Sequence, residues 1–165
     1  MRTLIHLILL ATFLLSCGDN SDSTVVDLDI NLTIVDKSGK DMLNPSVSGS
    51  ITEADIRVFY EINGKLETYL SLSNEDPDNP SGFTLNSSDG SGTFGGRYFL
   101  NIFTNPTIGK PKTILEIKGM EDIEFVTKVV EANGNTRVVE IWYKGKLVWP
   151  IESNNMAKYL EVIID

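Results

Sequence analysis

The sequence predicts an all-β fold, a single antiparallel β-sandwich, on three observations. Short segments alternating apolar and polar residues follow one another at spacings of roughly 8–12 residues, the rhythm of a strand and its turn. Asn-Gly and Lys-Gly pairs stand between several of them, where a two-residue hairpin turn demands positive φ. No stretch of the main body carries a convincing helical period.

The first segment, "VVDLDINLTIV" (25–35), sends Val26, Leu28, Ile30, Leu32 and Ile34 to one face and Asp27, Asp29, Asn31 and Thr33 to the other. Period-two alternation of this kind predicts a half-buried strand. "DKSGKDMLNP" (36–45) is turn chemistry, with Ser38-Gly39 and Asn44-Pro45 as breakers. Ile56, Val58, Tyr60 and Ile62 form the next alternation; Asn63-Gly64 reverses the chain, which returns through Leu66 to Leu72. From Ser73 to Gly96, Asn, Asp, Ser, Pro and Gly dominate, with an apolar interruption at Phe83–Leu85. Strands resume at "RYFLNIFT" (97–104) and "TILEIK" (113–118). "IEFVTKVVE" (123–131), Asn133-Gly134, "TRVVEIWY" (136–143), Lys144-Gly145 and "KLVW" (146–149) predict a meander. "KYLEVIID" (158–165) closes the chain as a strand, for a total of roughly nine. "YEINGKL" and "YKGKL" share turn chemistry rather than mark a repeat.

The two tryptophans lie in the meander. A tight turn at Lys144-Gly145 sets Trp142 opposite Leu147 and Glu140 opposite Trp149; one at Asn133-Gly134 sets Phe125 opposite Trp142, Thr127 opposite Glu140 and Val129 opposite Val138. One face then carries Phe125, Val129, Val138, Trp142, Leu147 and Trp149, and the other Glu124, Lys128, Arg137, Tyr143 and Lys146. The first is expected to be the core face. Trp149, at the strand end before Pro150, is the candidate for a ring that stacks on a sugar, with Glu140 beside it. Glu140 is the odd member of an apolar face, to be found at the sheet rim or paired in the interior.

The first sixteen residues have a different character. Met1-Arg2 is a short positive start, and an apolar run of about twelve residues follows, well short of a membrane-crossing helix. Leu14, Leu15 and Ser16 precede Cys17 and resemble the lipobox of bacterial lipoproteins. That resemblance implies cleavage before Cys17 and acylation of its thiol and new amino group. Two or three chains anchor stably where one holds only marginally. Residues 1–16 are therefore expected to be a signal peptide, 17–24 a lipidated cysteine with a polar, acidic tether, and 25–165 the sandwich domain.

Composition excludes much chemistry. The only histidine, His6, lies in the leader and the only cysteine is the lipidation site. The mature chain would hold no imidazole and no free thiol, which removes Ser-His-Asp and Cys-His catalysis, His/Cys zinc sites and disulfides. Losing Arg2 leaves 13 basic against 23 acidic residues. No basic stripe exists to neutralise nucleic-acid phosphates, so a nucleic-acid partner is not expected.

"VDKSGKDMLNP", then "IRVFYEINGK", and "IWYKGKLVW" near the end resemble Bacteroides-type outer-membrane lipoproteins with an immunoglobulin-like or transthyretin-like sandwich. The resemblance implies that fold, the lipid on Cys17 and an outer-membrane, cell-surface location; the periplasmic face and the inner membrane are the alternatives. No catalytic residue carries over.

Within "NEDPDNPSG" (74–82), Asp76 and Asp78 are candidate oxygen ligands, but Pro80 stands where an EF-hand needs its third, so no metal is assigned. "DGSGTFGG" (89–96) lacks the Lys of a phosphate loop. The expectation is a non-enzymatic module without cofactor, held at the membrane through Cys17 and binding a protein or glycan through its 73–96 connection. A carboxylate-based glycan hydrolase is the alternative. Solvent-facing aromatics beside that connection would favour a glycan, facing carboxylates in a pocket the hydrolase, and a long unpaired edge assembly.

Overall fold

A computed structural model describes residues 25–69, 81–88, 90, 94–150 and 157–164. Their regular structure is almost entirely strand: β1 (Val26–Asp27), β2 (Asp29–Asp36), β3 (Ile56–Ile62), β4 (Lys65–Thr68), β5 (Phe83–Ser87), β6 (Tyr98–Phe103), β7 (Lys112–Ile117), β8 (Ile123–Ala132), β9 (Asn135–Tyr143), β10 (Lys146–Pro150) and β11 (Tyr159–Ile164). A single 3₁₀ turn, Glu53–Asp55, precedes β3. Among the described residues, no helix is long and apolar enough to cross a membrane.

The strands form two sheets. The larger runs β1-β9-β8-β7-β3-β4 with β10 also on β9, and the smaller runs β11-β2-β6-β5. Alternation explains the faces. Ile30, Leu32 and Ile34 of β2, Leu100 and Ile102 of β6, and Leu160 and Val162 of β11 meet Val58 and Tyr60 of β3, Leu115 of β7 and Phe125 of β8 in one buried cluster. Each such side chain contributes about 1.5–3 kcal/mol on leaving water. Tyr60, buried in this cluster, donates its hydroxyl to the Phe103 carbonyl at 2.8 Å across the sheets.

Three hairpin turns are as expected. Asn63-Gly64, Asn133-Gly134 and Lys144-Gly145 all hold positive φ at both positions, which matches the twist of the flanking strands. The closing segment is a strand, as its composition predicts.

Three expectations need correction. The sheets are mixed rather than purely antiparallel, because β1 runs parallel to β9 and β11 parallel to β2. Parallel neighbours need long crossovers, and more than a hundred residues separate the members of each pair here. The 25–35 segment is two strands, broken at Leu28, whose carbonyl accepts from Thr104 N–H (3.2 Å) and Oγ1 (2.7 Å). The chain changes sheets there, so Val26 is 54% exposed while Leu28 is buried. Eleven strands, not nine, make up the described residues.

The chain crosses back between sheets at 104–111, where Thr104 and Asn105 are fully buried. Asn105 is satisfied on every side: its N–H donates to Thr113 Oγ1, Nδ2 to the Glu61 and Lys112 carbonyls, and Oδ1 accepts from Thr107 N–H. A buried amide so fully paired is a structural pin.

Candidate functional site

The tryptophan hairpin departs from its expected register. Phe125 stands opposite Tyr143, Val126 opposite Trp142, Thr127 opposite Ile141 and Lys128 opposite Glu140, but Val129 opposite Val138. Val139 is therefore an extra residue, a β-bulge, and beyond it every side chain of β9 changes face. Trp142 and Leu147, still paired with each other, move to the outer face, where Leu147 is 50% exposed. Lys110 Nζ sits 4.5 Å from the Trp142 ring centroid, a cation–π contact. Tyr143, expected outward, packs against the core.

A second irregularity, at Val148, sets Trp149 opposite Ile141 instead of Glu140. Trp149 turns toward the core, and its Nε1 is buried without a hydrogen-bond partner. Glu140 goes the other way: on the outer face it accepts from Lys128 Nζ at 2.8 Å. The structure thus separates Trp149 and Glu140, which the sequence puts side by side. Asp76, Asp78 and Cys17 lie outside the described residues.

At one end of the two sheets a groove of about 830 Å³ runs between the 119–122 turn, the Lys144-Gly145 turn and the end of β11. Glu121, Asp122 and Glu124 border it, with Trp142, Tyr143 and Lys112. Lys112 Nζ is 2.9 Å from Glu61 and 3.5 Å from Glu124, and the hydrogen bond to Glu61, more than any other cause, holds its ammonium above the ordinary lysine range. Among the described residues, no three His, Cys, Asp or Glu come together as a metal site.

The outer face of the smaller sheet gathers a different set. Because Leu32 pairs with Leu100 and Leu160 with Leu32, the same-face neighbours form transverse rows. One row holds Tyr159, Asn31, Asn101 and Thr84; on the same face Glu161 pairs with Thr33 and Phe99 with Asn86. Phe94, from the polar connection before β6, lies flat on Phe99 at 4.2 Å and 13°, and meets Tyr159 edge-on at 5.5 Å. All three residues are partly buried.

Hydrogen-bonding groups surround these rings. Asn101 Nδ2 donates to Asp29 Oδ2 (2.9 Å) and Asn31 Oδ1 (3.2 Å). Tyr159 OH lies 2.8 Å from Thr33 Oγ1 and donates to Glu161 Oε2 at 3.1 Å; Arg97 pairs with the same carboxylate. Burial pushes the Tyr159 phenol above its usual pKa, with the Glu161 charge adding to it and the Thr33 bond working against it. The phenol therefore stays protonated as donor and acceptor at neutral pH. Asn86 Nδ2 donates to Thr84 Oγ1 at 2.9 Å. The result is an aromatic cluster bordered by amides, hydroxyls and carboxylates on one sheet face.

Only part of this cluster is legible in the sequence. Phe99 was within reach, since alternation in "RYFLNIFT" sends Phe99 and Asn101 opposite to Leu100 and Ile102. Tyr159 was not, because only the parallel β2–β11 pairing brings it there.

The chain matches no protein-family model, no curated protein and no solved structure. Its geometry has to carry the functional conclusion.

Proposed function

We propose that this chain is a non-catalytic, lipid-anchored glycan-binding module of the cell envelope, with the outer face of the β11-β2-β6-β5 sheet as its binding surface. The observation that carries the reading is the Phe94–Phe99–Tyr159 cluster standing beside the polar connection before β6. A sugar ring is amphipathic. Its C–H face lies on an aromatic ring while its hydroxyls exchange hydrogen bonds with amides and carboxylates. Asn31, Asn101, Thr84, Asn86 and Asp29 supply such groups in rows, and the sheet fixes their spacing. The anchor at Cys17, the outer-membrane cell-surface location and an immunoglobulin-like or transthyretin-like sandwich belong to the same proposal. They rest on the Leu14–Cys17 string and the two-sheet arrangement.

Affinity electrophoresis of the mature chain through gels of individual polysaccharides tests the binding surface. Retardation by at least one polysaccharide is expected, with Phe94→Ala and Tyr159→Ala each lowering affinity about tenfold, equivalent to ~1.4 kcal/mol. Free migration in every gel, or variants that bind like the parent, would sink the reading. The hydrolytic alternative centres on the groove carboxylates; release of reducing sugar that disappears in Glu124→Gln would favour it.

A further inference from the structure

Hydrogen bonding forces the orientation of each amide on the outer face of the smaller sheet. The Lys158 carbonyl can only accept, so Asn31 turns Nδ2 to it at 3.3 Å and presents Oδ1 to Asn101. A carboxylate also only accepts, so Asn101 spends its Nδ2 on Asp29 Oδ2 and Asn31 Oδ1. Asn86 gives its Nδ2 to the Thr84 carbonyl at 3.2 Å and to Thr84 Oγ1. The hydroxyls follow the same rule. Tyr159 donates to Glu161, which leaves the Thr33 hydroxyl to donate to Tyr159.

The capacity left over is mostly for accepting. Among the described residues, Asn101 Oδ1, Asn86 Oδ1 and Asp29 Oδ1 have no hydrogen-bond partner, and none of the three is buried. Open donors are fewer: the Thr84 hydroxyl proton and those Arg97 N–H groups that Glu161 does not take.

Register puts the three acceptors in line. Asp29 stands opposite Phe103, Asn101 opposite Asn31 and Thr84, and Asn86 opposite Phe99, so they step diagonally across β2, β6 and β5. Diagonal neighbours are about 7–8 Å apart, which makes a line of ~15 Å. It ends beside the Phe94–Phe99 stack.

The charges point the same way. Asp29 and Glu161 share this face with one guanidinium, Arg97, and Glu161 already holds it. In a chain of net charge −9, an anion brought to Arg97 has to compete with that carboxylate.

We infer that this surface selects a non-acidic glycan, whose hydroxyl protons are donated to Asp29, Asn101 and Asn86 while a sugar ring lies against the Phe94–Phe99 stack. A sugar hydroxyl donates as well as accepts. A uronate or sulfate group only accepts, and would be desolvated against oxygens that offer it no proton. The inference rests on the glycan-binding reading and adds the class of glycan.

The test measures retention of the mature chain on beads carrying matched polymers: hydroxyethylcellulose against carboxymethylcellulose, dextran against dextran sulfate, and methyl-esterified against de-esterified pectin. Each pair is run at low salt and in ~1 M NaCl, where a Debye length of about 3 Å removes repulsion by the net charge of the whole chain. At least one neutral member is expected to retain the chain in both salts, and its acidic counterpart in neither. An acidic member that retains the chain as strongly as its neutral counterpart in the high salt overturns the inference and leaves glycan binding standing. Retention by no polymer removes both. Asn86, on the edge strand β5, supplies the variants. Asn86→Ala is expected to weaken retention on the neutral polymer about fivefold, in the range of one hydrogen bond. Asn86→Lys, which sets an ammonium where an acceptor stood, is expected to shift preference toward the acidic member. Both variants keeping parent affinity for both polymers, with parent-like circular dichroism, also overturns the inference.

Discussion

Asp36 and Asp55 each fold a turn around one carboxylate. Asp36 Oδ1 accepts from Ser38 N–H (2.8 Å), Ser38 Oγ (2.6 Å) and Lys40 N–H (3.0 Å). Asp55 Oδ2 accepts from Thr52 N–H (3.1 Å) and Oγ1 (2.5 Å), closing the 3₁₀ turn before β3. Those hydrogen bonds, the side-chain hydroxyl of Ser38 or Thr52 foremost, hold both carboxyls below the ordinary aspartate range. A depressed folded pKa means the unfolded chain takes up the proton first as pH falls. The stability these two groups add is thus present above the ordinary aspartate pKa and is lost as pH drops through the lower folded one. Carboxyl carbon shifts followed by NMR should show both titrating below a typical aspartate, and Ser38→Ala should bring Asp36 back toward it. Normal titration of Asp36 in the parent would refute this account. The first turn is legible in the sequence as turn chemistry at 36–45; the Thr52–Asp55 turn is not among the expectations, although both rest on local hydrogen bonds that need no tertiary partner.

Two bulges in the β8-β9-β10 meander decide which aromatic residues meet solvent. Turn chemistry predicts the hairpins, and the positive φ pairs are where they should be. The register between turns is a different matter, because an extra residue in one strand leaves the local sequence pattern almost unchanged and flips everything beyond it. Val138 and Val139 are both buried, so hydrophobicity gives no hint of which is the extra residue. Trp149 consequently packs inward with an orphaned Nε1. Trp149→Phe removes a buried donor that has no partner, so urea denaturation should show a change of no more than ~1 kcal/mol in either direction. Glycan retention should not change either. A variant that loses binding while keeping its fold would return Trp149 to the binding surface.

At the scale of the whole molecule, the parallel β2–β11 pair ties the two ends of the described chain together. Tyr159 through Ile164 pair in sequence with Asn31 through Asp36, and Leu160 and Val162 are almost fully buried between the sheets. Removing β11 would open the edge of β2 and expose Leu32 and Ile34 beside it. A chain ending at residue 156 is expected to lose the cooperative urea transition and to elute as aggregate in size-exclusion chromatography, whereas a monomer with parent-like circular dichroism would show β11 to be dispensable. The same strand carries Tyr159 to the aromatic cluster, so the proposed binding surface depends on it.

By itself the sequence determined the all-β class, nearly every strand, the three tight turns and the absence of imidazole and thiol chemistry from the described domain. These follow from period-two burial, from positive φ and from residue inventory, all local properties. Only the tertiary structure decided which strands are neighbours, where the register slips and which side chains share a face. Strand pairing is chosen by how two apolar faces close over one core, and partners a hundred residues apart leave no mark on each other's local pattern. Phe94, Phe99 and Tyr159 become a cluster through that choice.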